Sequence, residues 1–455
     1  MASVITRIDD CLSQRDGSLW MEECRLADLA VRFGTPVYVV SEAKLRGNLQ
    51  RIQAAFEAAW PHGPVCLLPS LKANLSLSLR RILTADGAGC DTFGPGELHA
   101  ALTSGVPPQL ISVNGSSKDT ALIERAVAAG ARITLDSPRE LDLVIEAARR
   151  HATRAVIRLR LRPDYAGLDL PSDFSPDLDV ATAAGRYKPG IPAEQAIETG
   201  ARALAAPELR VSGLMAHLGR HSADPRVWRA MGESFAEVIA RCCQAWEGWR
   251  PGELDVGGGY PSPRDPTAPD GAAPAAIEEY AREVAGGLAD GLAAAGVDPA
   301  GIALEAEPGR GLYADTGVHL TTVRNIKHQQ LPFEWTWVEV DTTEMFLADL
   351  LIEHARFAPM AATKTDQPAD LEADLVGISC GFDVLSARAH LPRLEPGDVL
   401  ALLDTGAYQD ACAANFNALP RPGTVLVSGN TAEWIKRPET VDEVFARDVI
   451  PERLR

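Results

Sequence analysis

Four groups of residues that can do chemistry each follow a short apolar run of the sequence. They are Lys72, His217, the glycines Gly257, Gly258 and Gly259, and the pair Glu307 and Arg310. A lysine that has lost its proton forms imines with aldehydes. Consecutive glycines leave backbone N–H groups free to approach an anion such as phosphate. A carboxylate can hold a protonated heterocyclic nitrogen, a guanidinium can bind phosphate, and a flat histidine ring can stack on a planar molecule.

Each of these residues also has an ordinary structural interpretation. Lys72 fits a solvated lysine at a strand end, and His217 fits a polar residue satisfied by its neighbours. The glycines fit a plain turn, and Glu307 with Arg310 fits a surface salt bridge. A nucleotide-binding oxidoreductase would rest on the glycines alone, and the required G-x-G-x-x-G spacing is missing. Taken together, the four groups indicate pyridoxal 5′-phosphate (PLP), an electron sink for carbanions at the α-carbon of amino acids.

The composition of the chain excludes several other classes. The 455 residues are 46% hydrophobic and 23% charged, as in ordinary globular proteins. Acidic residues number 62 against 44 basic ones, a net charge of −18, so no nucleic-acid partner is expected. The eight cysteines form no C-x-x-C pair, so neither a metal site nor a disulfide framework is expected. The N-terminus lacks signal-peptide features and no membrane-length apolar stretch occurs, so we expect a cytoplasmic protein that does not contact membranes.

The elements that must position the candidate residues follow an alternating pattern. Short apolar runs alternate with segments whose apolar residues recur every three or four positions. The eight runs lie at residues 64–71, 89–92, 110–113, 133–135, 155–161, 211–217, 253–256 and 302–307. Eight strand–helix units in series predict an α/β fold, a (β/α)8 TIM-type barrel, with an open doubly wound sheet as the alternative.

The ends of these runs carry the candidate residues. The first run ends in Lys72, the second at Asp91, and the fifth carries Arg160. The sixth ends at His217, the seventh at the three glycines and the eighth at Glu307. Because the carboxyl ends of barrel strands meet on one rim, we expect these side chains to converge there.

The alternation has one long interruption and a clear end. Residues 164–192 are rich in Pro, Asp and Gly and are predicted to form a long loop. Towards the C-terminus the apolar runs read as strands with few helices between them, and the early run 35–41 is expected to join them. We therefore predict a barrel domain over residues 42–311, and a β-rich domain with small terminal helices made of residues 1–41 and 312–455.

Seven short motifs occur along the chain in a definite order. They are Lys72-Ala73-Asn74, His217-Leu218-Gly219, Gly257-Gly258-Gly259, Glu307-Pro308-Gly309-Arg310, Cys380 with Asp383, Gly406-Ala407-Tyr408 and Phe416-Asn417. In this order they resemble the fold-type III PLP decarboxylases, the family of the diaminopimelate, ornithine and arginine decarboxylases. The resemblance covers residues 35–422 and implies an alanine-racemase-like barrel with a β-rich domain and PLP as the cofactor.

The resemblance implies a role for each matching residue. Lys72 would hold the cofactor as an imine, His217 would stack on its ring, and Glu307 would pair with the pyridinium nitrogen. Asp91 and Arg160 match positions that line the cofactor pocket. The residues implied around the phosphate are Gly257, Gly258, Gly259, Gly309, Arg310 and Tyr408.

Cys380 receives its role from the same resemblance. In the family, the matching cysteine crosses from the partner subunit and returns a proton to the α-carbon after CO2 has left. A homodimer with shared active sites is therefore implied. The alternative interpretation of Cys380 is a small buried thiol, the commonest fate of a free cysteine.

Several positions depart from the family pattern, mainly where the far end of the substrate would bind. Arg220 stands where a serine near the phosphate is usual, and either replaces that serine or contacts the substrate. Gly381 follows Cys380 in place of an acidic residue that holds the distal amine. The stretch 340–357 also lacks the Arg-Pro-x-x-Tyr segment of diaminopimelate decarboxylases.

We therefore expect PLP-dependent α-decarboxylation of an amino acid or amino-acid-like substrate other than plain diaminopimelate. One alternative is racemisation or other chemistry at the α-carbon on the same fold. The other alternative is a non-catalytic regulatory homologue. The presence of four residues argues against it: Lys72, His217, Glu307 and Cys380.

Overall fold

The computed structural model describes residues 6–162, 165, 177–217, 223–268 and 273–455. The chain divides into two compact units, which we call the β unit and the barrel unit. The β unit comprises Met1–Gly47, Arg264–Ala272 and Tyr313–Arg455. The barrel unit comprises Asn48–Pro263 and Ala273–Leu312. No helix among the described residues combines the length and the apolar content that crossing a membrane requires.

The N-terminal part of the β unit begins with a small antiparallel sheet. Its strands, within the described part of the chain, are β1 (Thr6–Arg7), β2 (Leu12–Arg15), β3 (Ser18–Met21) and β4 (Cys24–Arg25). Next along the chain come helix α1 (Leu26–Phe33), strand β5 (Val37–Ser41) and helix α2 (Glu42–Ala59). The sequence pattern had pointed only to the strand at 35–41, because the strands before it are too short to show a clear alternation.

The barrel unit is built around parallel strands. The described strands are β6 (Val65–Leu67), β7 (Cys90–Thr92), β8 (Ile111–Val113), β9 (Arg132–Leu135), β10 (Ala155–Arg162), β11 (Ile191–Pro192), β12 (Leu209–Met215), β13 (Glu253–Asp255) and β14 (Ala303–Ala306). Their order is β6-β14-β13-β12-β10-β9-β8-β7, and β11 pairs with β10 outside this path. The seam between β6 and β7 is joined where Gly89 N–H donates to the Leu67 carbonyl at 2.9 Å and where Ser70 and Asp91 form an isolated bridge. The predicted (β/α)8 barrel is confirmed, and each of the eight runs contains a strand.

Helices follow the strands of the barrel unit. In the described part of the chain they are α3 (Leu77–Ala85), α4 (Pro95–Thr103), α5 (Thr120–Ala129), α6 (Pro138–Arg150), α7 (Val180–Arg186), α8 (Ala193–Ala205), α9 (Pro225–Ala245), α10 (Ile277–Ala294) and the short α11 (Arg310–Tyr313). Their starts are set by local chemistry: the Asp119 carboxylate accepts from Leu122 N–H at 2.7 Å, and Ser76 caps α3 in the same way.

The long loop predicted over residues 164–192 is partly wrong. Helix α7 lies inside it and is capped by Asp179, whose carboxylate accepts from Thr182 N–H at 2.6 Å. The Pro, Asp and Gly residues before this cap are typical of loops, and the alanine-rich helix after it is too short to show a clear helical pattern. Residues 164 and 166–176 of the predicted loop lie outside the described part of the chain.

The C-terminal part of the β unit supplies most of its larger sheet. The elements are β15 (Gly317–Gln329), β16 (Trp335–Val340), α12 (Asp349–Ile352), β17 (Pro359–Ala361), β18 (Leu371–Val376), β19 (Val384–Leu391), β20 (Val399–Leu402), α13 (Gln409–Cys412), β21 (Gly423–Ser428), β22 (Thr431–Lys436) and α14 (Val441–Val444). The sheet order is β19-β18-β16-β15-β5-β21-β22, with β20 between β15 and β17 off this path. Strand β5 pairs with β15 and β21, so the prediction that the early run joins the β-rich part of the chain is confirmed.

Period-two alternation explains the core of this sheet. Val37 and Val39 of β5 share a buried cluster with Val318 and Leu320 of β15, and with alternate residues of β21. In a strand, side chains two positions apart point to the same face, so one face of three neighbouring strands is apolar. The register of these strands is therefore fixed by burial.

Candidate active site

Lys72 lies beyond strand β6, in a short 3₁₀ turn formed by Leu71–Ala73. Just before the turn, Ser70 N–H donates to the Pro308 carbonyl at 3.1 Å, so the extended chain stays beside the segment that follows β14. The predicted run 64–71 therefore overestimates the strand, and Lys72 does not end it directly. The turn still delivers the lysine to the carboxyl-terminal rim of the barrel unit.

The Lys72 ammonium is paired with the buried carboxylate of Asp91. Lys72 Nζ lies 2.9 Å from Asp91 Oδ2, and the Ser70 hydroxyl contacts both groups. Burial by itself raises the pKa of the Asp91 carboxyl, but the Lys72 ammonium and the hydrogen bonds to the carboxylate outweigh burial and hold that pKa below its ordinary value. The Lys72 side chain is 42% exposed, so its amine is accessible to a small molecule while Asp91 is not.

Asn114 connects Asp91 to Glu307. It directly follows β8, and its Nδ2 donates to Asp91 Oδ1 at 2.9 Å and also to Glu307 Oε1. All three side chains are buried. A line of hydrogen bonds therefore runs from the lysine amine to the glutamate through one amide.

Glu307, which follows β14, is a buried acid whose pKa is shifted from its ordinary value. Burial raises the pKa of Glu307 well above its ordinary value, and repulsion from Asp255 and Asp91 adds to this effect. The cations Lys72 and Arg158 act in the opposite direction without overcoming burial. Glu307 therefore keeps its proton to a higher pH than an exposed carboxyl group does.

A layer of paired charges lies inside the barrel, on residues of four strands. Arg158 Nη2 lies 2.9 Å from Asp255 Oδ2, and Arg158 also pairs with Glu305. Arg132 Nη1 lies 2.6 Å from carboxylate oxygens of both Glu253 and Glu305. Each buried carboxylate of this layer has a cation beside it, as buried charges require.

The glycines after β13 bring its backbone against His217 and Glu307. A Cβ on Gly257 would lie 2.8 Å from the His217 Cα, and one on Gly258 would lie 2.1 Å from the Glu307 carbonyl oxygen. Gly257 also has a φ of 73° and Gly259 a φ of 103°, backbone conformations that residues other than glycine rarely adopt. The approach of these three segments therefore requires glycine.

The remaining barrel candidates differ in where they lie. Arg160 is buried on β10 with its Nη1 3.9 Å from Asp136 Oδ1. Gly309 is buried immediately before α11, and Arg310 is the buried first residue of that short helix. Arg220 falls within residues 218–222, outside the described part of the chain.

Two candidates belong to the β unit. Cys380 is exposed, so its interpretation as a buried thiol is wrong. Asn417 holds it from both sides: the Cys380 N–H donates to Asn417 Oδ1 at 3.0 Å, and Asn417 Nδ2 donates to the Cys380 Sγ at 3.4 Å. Tyr408 adopts a left-handed backbone conformation, with a φ of 66°, just before α13.

Sequence reasoning missed several residues at the barrel site. Asn114 directly follows the third predicted strand, and Asp255 lies in the seventh, in the positions that pointed to Asp91 and Glu307. Arg158 lies two residues before Arg160, on the same side of β10. The same inspection of strand ends would have found Asn114 and Asp255. The pairing of Arg158 across the barrel has no signal in sequence.

Comparison with known proteins assigns the family. The model of the family described as "Pyridoxal-dependent decarboxylase, pyridoxal binding domain" matches residues 43–314. A diaminopimelate decarboxylase from Archaeoglobus fulgidus is 30% identical over 447 residues, which cover 97% of this chain and 99% of that protein. A crystal structure of diaminopimelate decarboxylase from M. jannaschii matches with a TM-score of 0.87 and 26% identity, over 98% of this chain and 99% of that one. The same enzyme in complex with L-lysine gives a TM-score of 0.86.

The chain therefore belongs to the family of pyridoxal-dependent decarboxylases. Its activity is the PLP-dependent decarboxylation of an amino acid, as the sequence resemblance implied. The barrel site fits this cofactor on its own evidence. It offers an accessible amine on Lys72, a buried acid at Glu307, and a glycine backbone with no room for a Cβ at Gly257 or Gly258.

The raised pKa of Glu307 predicts how its replacement affects the stability of the cofactor-free protein. In the unfolded chain a glutamate ionises near its ordinary pKa of about 4.3, whereas the folded chain keeps the proton to higher pH. Folding stability is therefore lost as pH rises from the unfolded pKa towards the folded one. The Glu307→Gln variant, which cannot ionise, should gain stability relative to the wild type as pH rises from about 4.3, the ordinary glutamate pKa, towards neutral pH.

Thermal unfolding of both cofactor-free proteins across this pH range measures the difference. The matched control is Glu334→Gln, since the Glu334 carboxylate is exposed to solvent. A difference between Glu307→Gln and wild type that did not change with pH would contradict the prediction.

Proposed function

We propose that the barrel unit binds PLP through Lys72 and Glu307. We further propose that the enzyme removes the α-carboxylate of an amino acid whose distal end differs from that of diaminopimelate. The observation that carries the first part is the hydrogen-bonded line from Lys72 through Asp91 and Asn114 to Glu307. This line offers a nucleophilic amine at one end and a buried acid at the other.

Lys72 and Glu307 divide the work at the cofactor. When bound, PLP draws electrons from the bond to the departing carboxylate. Lys72 supplies the amine for covalent attachment, and Asp91 orients that amine from 2.9 Å. Glu307 holds a proton where burial excludes water, and a heterocyclic nitrogen placed there shares it.

The other proposed contacts bind or orient the cofactor. His217 stacks on its ring, and Arg160 lines the pocket from β10. The phosphate contacts are assigned to Gly257, Gly258, Gly259, Gly309, Arg310 and Tyr408. Support comes from the bare backbone at the glycines and from the buried guanidinium of Arg310.

The substrate proposal rests on what stands at the positions expected to bind the distal end. Gly381 offers no side chain where the family has an acid, and its neighbour Phe382 is 97% exposed and apolar. The stretch 340–357 also lacks the Arg-Pro-x-x-Tyr segment that helps diaminopimelate decarboxylases to bind the distal end of their substrate.

Diaminopimelate itself is the second candidate. It is favoured by the names of the relatives, which at 26–30% identity over nearly the whole chain are diaminopimelate decarboxylases. The two candidates share the barrel chemistry and differ only in the group at the far end of the substrate.

Two copies of the chain are proposed to associate, with Cys380 of one copy completing the site of the other. Support comes from the exposed thiol and from the apolar side chains beside it, Ile378 and Phe382, both exposed to solvent. Exposed apolar surface of this kind is typical of an interface. In this arrangement the Cys380 thiol returns a proton to the α-carbon.

The attachment at Lys72 is tested by borohydride reduction of the PLP-loaded protein followed by peptide mass mapping. The pyridoxyl group should be found on Lys72, because an imine on this amine becomes a stable secondary amine on reduction. The Lys72→Ala variant should show no visible absorbance band and no labelled peptide. Lys118→Ala is the matched control, since Lys118 is a buried lysine of the same unit paired with Glu140. Labelling of another lysine in the wild type would refute the assignment.

The substrate is tested by following CO2 release from a panel of L- and D-amino acids that includes meso-diaminopimelate. We expect at least one other amino acid to exceed diaminopimelate by roughly tenfold or more in kcat/KM, since a missing distal charge pair costs about that much. Diaminopimelate as the best substrate would decide for the second candidate. Turnover of α-protons without CO2 would indicate racemisation.

Sharing of the site is tested by mixing two inactive variants, Lys72→Ala and Cys380→Ala. If each site takes its lysine from one copy and its cysteine from the other, mixed dimers contain one intact site and regain part of the activity. Size-exclusion chromatography with light scattering gives the oligomeric state. A monomer, or a mixture without recovered activity, is the result that rules out shared sites.

A further inference from the structure

We propose that Asn114 is a positioning residue of the cofactor site. Its amide holds the carboxyl groups of Asp91 and Glu307 in a fixed relation, so that one side chain sets both the partner of the lysine and the acid at the ring nitrogen. This inference rests on the proposed function, because it assumes the roles given there to Lys72 and Glu307.

The backbone of Asn114 is fixed against the strand that carries Asp91. Asn114 N–H donates to the Thr92 carbonyl at 2.8 Å, and Thr92 is the residue after Asp91. At the next position, a Cβ on Gly115 would lie 2.0 Å from the Phe93 carbonyl oxygen, so these two chain segments are in direct contact. The amide therefore starts from a rigid point of the barrel rim.

The orientation of the amide is set by a neighbour that can only donate. Arg158 donates from Nη2 to the Ser112 hydroxyl oxygen, and a guanidinium has no acceptor. Ser112 must then use its own proton elsewhere, and it donates to Asn114 Oδ1 at 2.6 Å.

With its oxygen engaged by Ser112, the Asn114 amide presents its NH2 group to the other side. Both N–H bonds are used there, one on Asp91 at 2.9 Å and one on Glu307. Every donor in this chain of contacts thus points from Arg158 towards the two carboxyl groups. A rotated amide would place its oxygen against the Asp91 carboxylate, which is unfavourable.

Holding the two acids through one amide matters because their pKa values are shifted in opposite directions. The pKa of Asp91 is held below its ordinary value and that of Glu307 is raised well above it, with repulsion between the acids contributing to the second shift. Asn114 donates to each without adding charge. Without it, two buried acids would lie side by side with one donor fewer each.

The test replaces Asn114 by the nearly isosteric leucine and uses a matched control. Asn114→Leu removes both donors, Asn114→Ala removes them with less bulk, and Ser112→Ala leaves the amide free to rotate. The control is Asn48→Leu, because Asn48 is a buried asparagine of the same unit whose Nδ2 donates to the Leu312 carbonyl at 3.0 Å. For each holoenzyme we would measure PLP affinity, the pH titration of the visible absorbance band, the melting temperature, and kcat and KM.

Asn114→Leu and Asn114→Ala should weaken PLP binding by about 10- to 100-fold, since a hydrogen bond is lost at each acid and the one at Asp91 is made to a charged carboxylate. Their visible band should titrate at a different pH from that of the wild type. Ser112→Ala should shift both readouts in the same direction by a smaller factor. Asn48→Leu should lower the melting temperature with little change in PLP affinity or in the titration.

The inference is overturned if both Asn114 variants bind PLP within about twofold of the wild type and titrate as it does. It is also overturned if Asn48→Leu changes the two cofactor readouts as much as the Asn114 variants do. Should Asn114→Leu not fold, Asn114→Ala and Ser112→Ala decide the matter by the same criteria. Failure of the proposed function has a separate signature, because the wild type itself would then carry no pyridoxyl label on Lys72.

Discussion

The barrel site depends on one constraint: the buried carboxyl groups of Asp91 and Glu307 both accept hydrogen bonds from the same amide, that of Asn114. Asp91 must stay ionised to orient the Lys72 amine, whereas Glu307 is pushed towards its protonated form by burial and by neighbouring negative charge. Water would erase this difference by solvating both groups equally. The barrel supplies the dry environment, and donors placed on its strands keep each acid in its own state.

The layer of charges inside the barrel follows from the same constraint. Arg132 and Arg158 are spaced among Glu253, Asp255 and Glu305, so each buried ion has an opposite charge at contact distance. Such a layer contributes little net stability, because the attraction mainly offsets the cost of removing the ions from water. Its value lies in orientation: Arg158 fixes the Ser112 hydroxyl and thereby the amide above it.

The sequence predicts the barrel well because burial on both faces leaves an unmistakable run of apolar residues at each strand. Positions at strand ends could likewise be read off, which is how Lys72, Asp91 and Glu307 were found. What could not be read is contact between strands that are distant in the chain. Asn114 directly follows a predicted strand, but an amide side chain is not a nucleophile, an acid or a base, so its residue type alone does not indicate a role in the site. The short helix α7 was hidden by the loop-forming residues around it.

The seam between β6 and β7 has a consequence for the Lys72 amine. Its closing bridge joins Ser70 to Asp91, and these are the residues that hold the Lys72 ammonium. The Lys72 amine is therefore coupled to the closure of the barrel wall. Any local opening that parts β6 from β7 also separates the Lys72 ammonium from its counter-ion, so the position of the amine depends on this one joint.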